Sequence, residues 1–265
     1  MRQLTLFVLL GSSSLIACAR NAGTNVDSAE SAVDSSDSVE AEGNVMMASV
    51  DGADMSGLTA LTGDQVAVHI AANAPARFLP AGCATASATG SDVKLTLNDC
   101  SGPRGLLHIT GELDLTASVA LSGTISVHAS ATALMVNRAV LDIDSDATYA
   151  VSGTTHTLTV QTMGSGTGPR GNDIDHSGQY TIQWDTTSQC GSIAGHWGTE
   201  VSSGSASADR SNDVNLARCA GGCPTGMLTH HFLGGASLTV TFDGSAVAQW
   251  STSTGKSGTV NLSCQ

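Results

Sequence analysis

Between Leu106 and Thr162 apolar residues recur at every second position, and that alternation restricts the chain to β structure more firmly than any other feature. Successive side chains of a strand point to opposite faces. Leu107, Ile109, Leu113 and Leu115 therefore share one face, and His108, Thr110, Glu112 and Asp114 the other. Ile125, Val127 and Ala129 repeat the pattern, as do Leu141, Ile143, Tyr149 and Val151. All these apolar positions are odd-numbered, and antiparallel strands keep them on one face only when paired positions sum to an even number. The loop Leu121-Ser122-Gly123 does this by pairing Val119 with Ile125, with Gly where a left-handed backbone is needed. A second loop, Asn137-Arg138-Ala139, is expected to pair Met135 with Leu141 and Val127 with Tyr149. The next strand carries Leu158, Val160 and Thr162 at even positions, so parity must flip. A two-residue loop, Ser152-Gly153, flips it and pairs Tyr149 with His156. A one-residue slip would turn a strand inside out, so turns and faces that agree are worth more than either alone.

The C-terminal half continues in the same style. Tyr180, Ile182 and Trp184 alternate, Ile193-Ala194-Gly195-His196-Trp197 reads as a strand, and Val260, Leu262 and Cys264 close the chain. Leu238, Val240 and Phe242 are expected to meet Ala246, Ala248 and Trp250 across Asp243-Gly244-Ser245, with Leu238 opposite Trp250. Gly102-Pro103-Arg104-Gly105 recurs as Gly168-Pro169-Arg170-Gly171, each ahead of a strand. This suggests a repeated β unit, with related sheets over about 57–163 and 164–265. Pro and Gly make both copies rigid turns, and Arg104 and Arg170 are candidate anion-binding residues. Strands with one apolar face must cover each other. The expected fold is an all-β antiparallel meander, a sandwich or an incomplete barrel, in one domain over 57–265.

Six cysteines follow Cys18 among the seven of the chain: Cys83, Cys100, Cys190, Cys219, Cys223 and Cys264. An even set in an exported chain reads as disulfides. Proximity pairs Cys83 with Cys100 and Cys219 with Cys223, leaving Cys190 with Cys264. Zinc at Cys219-Ala-Gly-Gly-Cys223 is the weaker reading, because no second pair matches its spacing.

The N-terminus carries Arg2, the apolar stretch Leu4–Leu10 and then Leu15-Ile16-Ala17-Cys18. A positive start, a short apolar core and small residues before a cut describe a secretory signal, too short to span a bilayer. Leu15-Ile16-Ala17-Cys18 resembles the lipobox of bacterial lipoproteins. The resemblance implies cleavage between Ala17 and Cys18, a diacylglyceryl group on the Cys18 thiol and an acylated amine, which together anchor stably. It also implies the outer membrane, because Ala19 stands where an inner-membrane retention signal usually has Asp. Residues 18–56 pair Arg20 with Asp27, Glu30, Asp34, Asp37, Glu40, Glu42, Asp51 and Asp54 and hold no aromatic residue. Such a segment buries too little apolar surface to order itself and is expected to act as a tether, reaching on the order of 30–40 Å. Beyond the signal, the chain resembles Gly/Ser/Thr-rich lipoproteins of Gram-negative bacteria in composition.

The net charge of −13 argues against nucleic acid and against polybasic lipid binding. The eight histidines give few convergent patterns. Asp142, Asp144 and Asp146 resemble the opening of a calcium loop, but Ala147 stands where Gly is needed and no Glu closes it. Asp173, Asp175 and His176 are expected in a Gly-rich loop as a further weak cation candidate. His128 is expected opposite Thr116. Gly255-Lys256-Ser257 lacks the earlier Gly of a phosphate loop, and no Gly-x-Ser-x-Gly elbow occurs. No catalytic residue and no cofactor beyond the Cys18 lipid are assigned. The leading reading is a lipid-anchored cell-envelope protein with a structural or binding role, meeting the membrane through its anchor. The alternatives are a periplasmic carrier of an apolar or lipid ligand and an exported hydrolase.

Overall fold

The computed structural model describes residues 62–101, 108–136, 139–168, 171–203, 206–232 and 235–262. Among these residues an α-helix, α1 (Gly63–Asn73), and a short 3-10 turn (Ala74–Arg77) precede thirteen strands. These are β1 (Ala84–Thr89), β2 (Asp92–Cys100), β3 (Ile109–Val119), β4 (Ile125–Val136), β5 (Ala139–Ser152), β6 (Thr155–Thr167) and β7 (Asp173–Asp185). β8 (Cys190–Ser203), β9 (Ala206–Cys219), β10 (Thr225–His231), β11 (Ser237–Asp243), β12 (Val247–Thr252) and β13 (Ser257–Asn261) follow. All thirteen lie in one antiparallel sheet in chain order, with β1 and β13 at its edges, so the sheet does not close. The boundary expected near 163 falls inside β6, which pairs with β7 along its whole length, so there is one sheet rather than two.

Val119 pairs with Ile125 as the three-residue loop requires. The following hairpin differs from expectation. Val136 pairs with Ala139, so Ala139 belongs to β5, and this odd sum would put the rest of β4 on the wrong face. A bulge restores parity. β4 carries one extra residue between Ala131 and Leu134, Ala133 adopts φ +54°, and its N–H donates to the Asp142 carboxylate at 2.7 Å. Ile125, Val127, Ala129 and Ala131 face inward before the bulge, and Leu134 and Val136 after it, while Met135 points out. Val127 consequently pairs with Ala147, and Tyr149 with Ile125. A matching bulge at Asn98-Asp99 serves β2, where Asp99 has φ +51° and its N–H donates to Thr110 Oγ1. At the β5–β6 turn Ser152 pairs with Thr155, which flips parity as expected but sets Tyr149 opposite Leu158 rather than His156. Leu238 pairs with Thr252, and Val240 with Trp250, because the β11–β12 connection is Gly244-Ser245-Ala246, one residue further along than Asp243-Gly244-Ser245.

The inward faces of β1–β9 and of α1 form one apolar cluster. Leu95, Leu97, Ile109, Leu113, Leu115 and Leu158 are fully buried there. The helix was not expected from the alternation. Its start is a capping box, with Gln65 N–H donating to Thr62 Oγ1 and Thr62 N–H to Gln65 Oε1, which satisfies two end donors. Val66, Ala67 and Ile70 form its buried stripe. Gly63 lets it approach closely, since a Cβ there would lie 2.5 Å from the Ala117 carbonyl oxygen. Further along the sheet, aromatic side chains sit beside glycines on paired positions: Tyr180 beside Gly195, Trp197 beside Gly178 and Trp250 beside Gly258. Such pairs restore the packing that glycine lacks, and they place the chain's few large rings on the inner face. On β10–β13 that face is only half-buried, at Leu228, Leu238, Val240, Phe242 and Trp250.

Cys83 is joined to Cys100 and Cys190 to Cys219. The second bond replaces the expected Cys219–Cys223 and Cys190–Cys264 pairs. Cys190 opens β8 and Cys219 ends β9, where the register sets them opposite each other with Cα atoms 3.8 Å apart. Cys223 is also disulfide-bonded, and Cys264 lies outside the described residues. The protein is thus an antiparallel all-β meander, unclosed and stapled by disulfides.

Candidate polar face and metal-ligand cluster

The outward face is built from cross-strand rows. His128, Asp146, Gln161, Gln179, His196 and Asp213 are paired in succession from β4 to β9. The row continues through Thr116 to Asp92 on one side, and through Thr229, Thr239 and Ser251 to Ser257 on the other. Each strand from β2 to β13 contributes one polar side chain. Strands lie about 4.8 Å apart, so neighbours along the row are within reach of each other. Thr116 Oγ1 donates to Asp92 Oδ1 at 2.8 Å. Thr229 and Thr239 share a hydrogen bond of 3.3 Å.

The histidines of this face meet carboxylates. His128 Nδ1 lies 3.1 Å from Asp146 Oδ1 and 3.9 Å from Asp144 Oδ1. Asp213 takes two imidazoles, His196 Nδ1 at 2.7 Å on one oxygen and His231 Nε2 at 3.0 Å on the other. The hydrogen bond from His196, with that from His231 behind it, holds the Asp213 carboxyl below its ordinary range. His108 pairs with Asp99 at 2.8 Å, apart from these rows. Among the described residues, His128, Asp144 and Asp146 are the group of three whose ligand atoms all lie within 4.8 Å of one another.

Beside this row runs an open groove of about 780 Å³. Ser130, Asp144, Met163 and Ser177 line one side of it, and Asp142, Ser165, Asp175 and Glu200 the other. Four carboxylates therefore face the groove from β5, β7 and β8. The expected trio Asp173, Asp175 and His176 is not a loop but part of β7, and alternation divides it. Asp173 and Asp175 are exposed, whereas His176 is buried on the inner face, with Nδ1 3.2 Å from Thr199 Oγ1. Desolvation lowers the His176 pKa to about 4. The three cannot chelate one ion. Of the calcium-loop trio, Asp144 and Asp146 come together, while Asp142 is held by the Ala133 N–H at the bulge. Arg104, Arg170, Ala17 and Cys18 lie outside the described residues.

Sequence reading missed His128 as a partner of these aspartates. With the expected Val127–Tyr149 pairing, His128 would face Thr148. The Val136–Ala139 turn and the one-residue bulge each move the register by one and together bring Asp146 opposite it. No family model, curated protein or solved structure matches this chain, so the site is read from its own geometry.

Proposed function

We propose that the protein is a lipid-anchored cell-envelope binding protein, held at Cys18 and displaying its β domain beyond an acidic tether, at the outer membrane. The observation that carries the binding role is the division of labour between the faces of the sheet. The inner face of β1–β9 is packed with its own buried apolar side chains. The outer face presents ordered hydroxyl, amide, imidazole and carboxylate groups beside an acidic groove. A polar face of this kind suits a polar or cationic partner rather than an apolar one. The lipobox-like Leu15-Ile16-Ala17-Cys18 supports the anchor.

The half-buried apolar side chains of β10–β13 favour one second reading, in which that end of the sheet holds an apolar ligand as a carrier. The anchor is tested by cell fractionation and labelling with radioactive palmitate. The wild-type chain is expected to take up label and sediment with membranes. Cys18→Ser is expected to lose both properties, and a Cys18→Ser chain that still takes up label would remove the anchor from the account.

A further inference from the structure

We propose that His128, Asp144 and Asp146 form a binding site for a divalent first-row transition metal ion of the zinc class. The site rests on the β4–β5 register and is independent of the lipid anchor. β4 supplies His128, and β5 supplies Asp146 directly opposite it, with Asp144 two residues along on the same face. A zinc ion bound at about 2.0–2.1 Å to nitrogen and oxygen in tetrahedral geometry sets its ligand atoms roughly 3.3 Å apart. The observed separations from His128 Nδ1, 3.1 and 3.9 Å, bracket that distance, and the three ligand atoms all lie within 4.8 Å of one another.

Charge points the same way. Among the described residues the ionic partner of both carboxylates is His128, and one imidazole cannot neutralise two carboxylates. Asp142 stands two residues further along the same outward face and adds to the negative field. A divalent cation relieves this repulsion. The imidazole nitrogen decides the class of ion, because calcium and magnesium prefer oxygen ligands while nitrogen with carboxylate suits zinc and its first-row neighbours. All three side chains are about half-exposed, and Asp144 also lines the groove. The remaining coordination positions are therefore open to water or to a groove-bound ligand. His196, Asp213 and His231 make a different arrangement, in which the imidazoles take opposite oxygens of one carboxylate instead of converging.

The test is isothermal titration of the full chain, purified in detergent, with zinc chloride and with calcium chloride at neutral pH. Zinc is expected to bind at a single site, and calcium more than about 100-fold more weakly. Asp146→Asn and His128→Gln are each expected to weaken zinc by more than about tenfold, with unchanged far-UV circular dichroism. Asp213→Asn is expected to leave zinc binding as it was. The proposal is overturned by zinc affinity that is the same in wild type, Asp146→Asn and His128→Gln. Calcium binding as tight as zinc, zinc binding lost only in Asp213→Asn, or no zinc binding at millimolar concentration would overturn it as well.

Discussion

His176 shows how one buried side chain ties stability to pH. Its ring is buried on the inner face of β7, and desolvation holds its pKa at about 4 against an ordinary 6.5. Between those values the unfolded chain binds a proton that the folded chain does not, so stability rises with pH across this window. The contribution is complete above about 6.5 and is lost as pH falls to about 4, a change on the order of 3 kcal/mol. Urea unfolding midpoints measured from pH 7 to pH 4 are expected to fall in the wild type. They should fall less in His176→Asn, which keeps a polar atom toward Thr199 without a titratable ring. Equal slopes in the two chains would show that His176 is not the group responsible. The glycines beside the aromatic rings work by volume at the same scale. At Gly195 a Cβ would lie 2.4 Å from the Gln179 carbonyl oxygen and 2.5 Å from Tyr180 Cα.

At the scale of strands and turns, the staple between β8 and β9 gives the sharpest expectation. Cys190 and Cys219 are 29 residues apart in sequence. Closing a loop of that length limits the unfolded chain by about 3–4 kcal/mol in the chain-entropy model. The double variant Cys190→Ser, Cys219→Ser is expected to lose stability of that size in urea, and non-reducing peptide maps of the wild type should recover a Cys190–Cys219 peptide. Recovery of Cys219 joined to Cys223 would contradict the Cys190–Cys219 bond. This bond also marks what could be read in advance and what could not. Alternation is a local property, so the inward faces of β3, β5 and β6 were legible from residues such as Leu113, Ile143 and Leu158. Register is not local, because it depends on bulges at Asp99 and Ala133, which adopt left-handed backbone without a glycine to announce it. The unseen bulge in β4 and the tighter turn after it together hid the pairing of His128 with Asp146, and the most economical cysteine pairing overlooked strands that run side by side. α1 did have a local signal in Thr62 and Gln65, but it is a single short amphipathic stripe next to a Ser-rich acidic segment.

At the scale of the molecule, the thirteen strands among the described residues lie in chain order, so every neighbour in sequence is a neighbour in space, with β1 and β13 at the two ends of the order. The apolar cluster runs from α1 to β9, and the polar row continues across to β13. This asymmetry separates the two functional readings. A binding protein needs the polar face accessible and the inner face filled, whereas a carrier needs cargo on the inner face of β10–β13. Mass spectrometry of the chain extracted from the cell envelope, recorded under native and then denaturing conditions, distinguishes the two readings. For a lipid-anchored binding protein the expected result is a chain that begins at Cys18 with its covalent acyl groups, and no further apolar species released on denaturation. A lipid-like mass that leaves when the protein unfolds, or a chain without acyl groups at Cys18, would contradict it.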